Sequence, residues 1–171
     1  QAEVFNVKNG IWYAGADVDI VSNRIKSIYC YNQESFLKDD PNLVDHAYRG
    51  ATLPSIIGVD SGQAGFFDKL HYRSDEIAKD YPKAFDDDWA TEPGDEWYRA
   101  ICKLTMEDEG WGTIPHGAVS SSGWGDGSYG CTYHKNSKGE YVAFVITFID
   151  DDYDDEDDEF FDEDESDDSD D

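Results

Sequence analysis

Residues 141 to 149 read YVAFVITFI, a run without a charged side chain. Nine residues suit one strand and fall well short of the roughly 20 that a membrane-crossing helix needs. Because the apolar residues are continuous rather than alternating, the pattern is that of a strand covered on both faces. Any fold open to this chain has to cover both sides of that strand.

The residues before the run supply its partner. Tyr129, Cys131 and Tyr133 alternate with Ser128, Thr132 and His134, the period of a strand, and KNSKGE at 135 to 140 is a loop of hairpin length. The first third is also β in character, with an aromatic strand over 11–14, a polar break at Ser22 and Asn23, and a second run over 24–31. KDDPN at 38 to 42 makes a turn, Pro41 biasing Asp40 toward extended backbone. Residues 53–59 and 64–67 read as a strand and a returning strand about the turn Asp60-Ser61-Gly62, where an Asp carboxylate accepts a backbone N–H and Gly takes positive φ.

Residues 69–94 are irregular, with one helical turn starting near Ser74. One main helix is expected over about 95–106, since Trp97, Ile101 and Leu104 share a face with Ala100, and Asp95 and Glu96 sit where the helix dipole favours anions. The expected architecture is a single β-rich α+β domain over 1–149, an antiparallel sheet or small β-sandwich packed by that helix. An acidic tail that forms no structure follows over 150–171. Aromatic residues make up 15% of the chain, enough to fill a core in a domain of this size.

Charge is segregated. Of 40 acidic residues, 17 lie from Asp150 onward, where none of the 13 basic residues occurs. Such a block repels itself into an extended chain. The rest of the chain is acidic as well, and its Lys and Arg are scattered, which argues against direct nucleic-acid binding. Cys30, Cys102 and Cys131 are odd in number and far apart, forming neither a disulfide framework nor a metal knuckle, so a reducing compartment is expected, with the cytoplasm as default. No membrane segment is expected.

Residues 120 to 133, SSSGWGDGSYGCTY, hold the most concentrated motif. Gly125 to Gly130 matches GxGxxG in letters, but the dinucleotide fingerprint requires a helix after the glycines and here a strand follows. The four histidines, His46, His71, His116 and His134, show no zinc spacing, so a metal site would have to gather them from afar. Ser120 to Ser122 lack a nucleophile-elbow context, and Cys131 reads as a small buried thiol.

GVDSGQAGFFD at 58 to 68 and SSSGWGDGSYGCTYHKNSKGEYVAFVITF at 120 to 148 together resemble the two signature regions of the DUF4241 family, a largely bacterial and phage-borne group without an established activity. The first is similar to the family's Val-Asp-small-Gly segment, the second to its Gly-Trp-Gly-Asp-Gly-x-Tyr turn with the strands that follow. The resemblance implies a β-rich domain and brings no catalytic residue.

If the two regions meet, Asp60, Ser61, Gly62, Asp68, Trp124, Asp126, Gly127 and Tyr129 line a candidate ligand cleft, with Gln63 and His71 nearby. Its paired carboxylates would divide acid and base work or hold a divalent cation weakly. The competing reading has the aspartates as turn residues and Trp124 in the core. In the tail, Tyr153, Phe160 and Phe161 are candidate anchors on a partner. With no catalytic constellation evident, the expected function is a non-enzymatic interaction module binding a basic protein partner, without a cofactor. The alternatives are a small-ligand, divalent-cation or hydrolase-like protein using Asp60, Asp68 and Asp126, and a nucleic-acid-mimicking inhibitor.

Overall fold

A computed structural model of the protein describes residues 2–85, 91–107 and 109–150. The strands are β1 (Trp12–Asp19), β2 (Arg24–Asn32), β3 (Ala51–Thr52), β4 (Ile57–Val59), β5 (Gln63–Phe67), β6 (Trp111–Ile114), β7 (Gly117–Ser121), β8 (Gly127–Lys135) and β9 (Tyr141–Thr147). The helices are α1 (Gln33–Lys38), α2 (Leu43–Tyr48), α3 (Asp75–Ala78) and α4 (Asp95–Met106). The larger antiparallel sheet runs β1-β2-β9-β8-β3, with β4 also on β8; the smaller runs β5-β7-β6.

The apolar run becomes β9, hydrogen-bonded to β2 on one side and β8 on the other. Val142 to Ile146 are all buried. Successive side chains on a strand point to opposite faces. Phe144 and Ile146 accordingly join Ile28 of β2, Ala64 of β5 and Ala118 of β7 in a core shared by the two sheets. Ala143 and Val145 pack with Leu43 and Ala47 of α2 on the other side. The smaller sheet is covered in turn by α4, whose Trp97, Ala100 and Ile101 meet Ile114 and Val119. Helix, large sheet, small sheet and helix therefore form four layers, and both central strands, β9 and β7, are buried on two sides.

Helix α4 occupies the expected residues. Its first turn is held from outside: the Asp75 carboxylate accepts N–H bonds from Gly94 and Trp97, at 2.8 and 2.9 Å. The buried Arg99 ties the preceding loop to the helix, donating to the carbonyls of Ala84 and Phe85 and to Glu96. Toward the C-terminal end of the helix, Gln63 of β5 donates to Thr105 Oγ1.

Two sequence expectations need correction, and several elements are new. Residues 53–59 do not form one strand: β3 ends at Thr52 and β4 begins at Ile57. Nor do the runs on either side of Asp60-Ser61-Gly62 pair as a hairpin. β4 pairs with β8 and β5 with β7, so the turn carries the chain from one sheet to the other. The hairpin β6–β7 and the short helices α1 and α2 were not anticipated, because Gly, Ser and Pro dilute the apolar period of the hairpin and six-residue helices carry under two turns of pattern.

Ile146 is 1% exposed and Ile20, in the β1–β2 turn, is 93% exposed. Ile146→Ala is expected to cost about 2–5 kcal/mol in urea unfolding, and Ile20→Ala less than about 0.5 kcal/mol. Equal losses at both positions would contradict the two-sided burial of β9.

Candidate functional site

The glycine-rich segment is a tight connection from β7 to β8. Gly123 and Gly125 adopt positive φ, +59° and +96°. A Cβ at Gly123 would stand 2.7 Å from the Ile25 carbonyl and 2.9 Å from the Phe148 side chain, so glycine is required there by space as well as by backbone conformation. The turn is closed by polar bonds: Ser122 Oγ and the Tyr129 hydroxyl both donate to the Gly125 carbonyl, at 2.6 and 2.9 Å.

The two signature regions do meet, through a reciprocal stitch. The Ser122 N–H donates to the Gly62 carbonyl at 2.9 Å, and the Gly62 N–H donates to the Asp126 carboxylate at 2.9 Å. Asp126 thus spends one oxygen in joining turn to turn. Asp60 and Ser61 lie in the same turn as Gly62 and are exposed. Gly127 starts β8 opposite Val59, and Tyr129 packs edge-on against Phe148.

Asp68 does not join them. It lies beyond the far end of β5, on the order of 20 Å from Gly62 along a strand rising about 3.3 Å per residue. The three aspartates therefore do not converge on one cleft. Trp124 does not fill the core either; it is 61% exposed, with the Arg24 guanidinium 5.0 Å from its ring centroid. Arg24 is held there by its bond to the Gly123 carbonyl.

What the sequence left scattered, the fold gathers. All four histidines fall into two pairs, each beside one aspartate. In the first group, Asp40 follows α1, His46 lies on α2 and His134 on β8. His46 Nδ1 stands 2.6 Å from Asp40 Oδ2, and the Asn42 N–H donates to Asp40 Oδ1. His134 Nε2 is 3.8 Å from the same carboxylate. Burial lowers the pKa of His134, with His46 adding to the effect and Asp40 opposing it. At Asp40 burial acts to raise the pKa, but the Asn42 N–H and His46 outweigh it and the net direction is down.

The second group is Asp68, His71 and His116, at the end of the small sheet. The imidazoles of His71 and His116 stack with centroids 3.8 Å apart and planes 16° from parallel. Backbone bonds fix this juxtaposition: Asp68 N–H to the His116 carbonyl at 2.8 Å, and His71 N–H to the Asp68 carbonyl at 3.0 Å.

The remaining candidates are less available. All three cysteines are buried and unpaired. Burial pushes the Cys131 thiol up to about 12, far from the thiolate a nucleophile needs. Tyr153, Phe160 and Phe161 lie outside the described residues. Among the described residues no helix is long and apolar enough to cross a membrane.

Two outcomes follow for the stitched turns and the first histidine group. Gly123→Ala is expected to cost about 2 kcal/mol or more from left-handed backbone and crowding, and Asp126→Ala about 1 kcal/mol from the lost charge-assisted bond, both read by urea unfolding. His134 has a lowered pKa in the fold, so its contribution to stability is complete above its ordinary value of 6.5 and is lost as pH falls through the folded value. The melting temperature should therefore drop on acidification below about pH 6.5, and His134→Gln should flatten that part of the profile; the Asp40 contribution disappears only below its ordinary 3.8. An unchanged slope in His134→Gln would refute the assignment.

No curated protein and no solved structure matches the chain. One family model does, over residues 56–146, which include β4 to β8, most of β9, both stitched turns and the Asp68, His71 and His116 group. Because that match spans more than half of the chain, the protein belongs to the DUF4241 family, described as proteins of unknown function.

Proposed function

We propose that the protein is a non-enzymatic interaction module that engages a basic protein partner through its acidic surface and C-terminal tail. The observation that carries this reading is the charge distribution: 17 acidic and no basic residues from Asp150 onward. The folded body adds to the same sign. Lys8, Lys38, Lys69, Lys79 and Lys103 each already face a carboxylate, so much of its positive charge is spent internally. A field of one sign steers an oppositely charged partner and raises its association rate.

The disposition of the sequence-predicted carboxylates supports the same reading. Asp126 and Asp68 each accept a backbone N–H, from Gly62 and Leu70, in the manner of turn residues. Exposed Trp124, braced by Arg24, offers an aromatic surface of the type enriched at interfaces. The reading sets the protein in the cytoplasm, in keeping with three unpaired cysteines.

The test is affinity capture on the full chain with mass-spectrometric identification, beside a full-length variant whose tail Asp and Glu residues are changed to Asn and Gln. The expected result is a basic protein retained by the native chain, released by raised salt, and bound at least about tenfold more weakly by the neutralised variant. If the captured protein binds DNA and duplex DNA competes for it, the nucleic-acid-mimicking form of the proposal is selected. Equal retention by both chains would overturn the role of the tail.

A further inference from the structure

We propose that Asp68, His71 and His116 form a binding site for a borderline transition-metal cation, of which Zn²⁺ is the type. The site is independent of the acidic tail and of the partner-binding reading. One carboxylate oxygen and two imidazole nitrogens, one from each side chain, lie within 4.8 Å of one another. A tetrahedral Zn²⁺ with nitrogen ligands at about 2.0–2.1 Å wants its ligand atoms about 3.3–3.5 Å apart, a spacing that side-chain reorientation brings within reach, none of the three residues being buried. Two imidazoles and a carboxylate select Zn²⁺, Co²⁺ or Cu²⁺ over Mg²⁺ and Ca²⁺, which take oxygen.

Three observations distinguish this trio from an ordinary surface cluster. First, among the described residues neither the His71 nor the His116 ring has a hydrogen-bond or ionic partner, and Asp68 uses only Oδ1, on the Leu70 N–H. Two polar rings face each other with their nitrogens uncommitted. The Asp40 group differs, since both oxygens of Asp40 are engaged, by Asn42 and His46.

Second, the backbone is fixed before any ligand arrives. Asp68 extends the β5–β7 ladder by its N–H bond to His116, and His71 closes a turn onto Asp68. Third, His116 occupies a position that favours glycine. It has φ +66° in the two-residue connection from Ile114 to Gly117, after Pro115, the pattern of a type II turn whose third residue is usually Gly or Asn. A histidine held there bears backbone strain, and strain of this kind concentrates at ligand sites.

The stacked geometry also says how binding must proceed. An imidazole nitrogen directs its lone pair in the ring plane, so two rings 16° from parallel cannot both aim at one ion. Seating the cation splays the rings while the backbone stays in place. Three protein ligands leave a fourth position for water or for a donor from another molecule.

The same turn supplies a clean variant. His116→Gly removes a ligand and relieves the positive φ, so it is expected to melt no lower than the native chain. The experiment titrates the full-length protein with Co²⁺, followed by visible absorption, in excess Mg²⁺ to occupy oxygen-only sites on the tail. The expected result is one equivalent of Co²⁺ with d–d bands, displaced by Zn²⁺. Binding should weaken by about tenfold or more in His116→Gly and in His71→Gln, and stay unchanged in His46→Gln. Co²⁺ affinity that is equal in native, His116→Gly and His71→Gln chains would overturn the site, as would a loss confined to His46→Gln.

Discussion

A strand with nothing but apolar side chains from Val142 to Ile146 cannot face water on either side, and the rest of the architecture follows from covering it. One face is met by a second sheet, the other by a six-residue helix, α2, whose Leu43 and Ala47 are almost wholly buried. The second sheet then has an outer face of its own to cover, and α4 does so through Trp97 and Ile101. Each layer is thus demanded by the one inside it. Short elements such as α2 and β7 persist because packing, rather than propensity, holds them.

This order explains what the sequence made legible. Long elements with a clear pattern were readable: α4 over 95–106 lies where helical spacing puts it, β2 and β8 where alternation does, and β9 on the continuous apolar run. The pairing of elements was less so. Asp60-Ser61-Gly62 has hairpin composition, but the flanking runs find partners in different sheets, β4 on β8 and β5 on β7, a choice that local turn composition does not encode. Trp124 shows the same limit from the other side. Its residue type favours burial, yet it rides on a turn whose glycines fix the backbone, and the core beneath is already filled by Tyr129 and Phe148.

The histidine groups were beyond sequence reasoning for a related reason. No local spacing links His71 to His116 or His46 to His134; their proximity is a property of strand register. The signal that would have found His71 and His116 is the hairpin at Pro115-His116, where a Pro at the second turn position is followed by His, one of the few residue types besides Gly that accept positive φ. Once β7 is placed against β5 with Phe67 opposite Gly117, Asp68 and His116 become neighbours without further assumption.

That single five-pair ladder organises both ends of the smaller sheet. At one end Gln63 pairs with Ser121, and the next residues on each strand, Gly62 and Ser122, carry the stitch that Asp126 completes. At the other end the ladder passes through Phe67 and Gly117 to Asp68 and His116. The first end is closed by backbone bonds and tolerates no added atom at Gly123. The second keeps a carboxylate oxygen and two imidazoles free of hydrogen bonds among the described residues. A strand pair anchored at one end and chemically open at the other separates the work of holding the sheets together from the work of meeting a ligand, so a change at the histidine end need not loosen the glycine-rich turn.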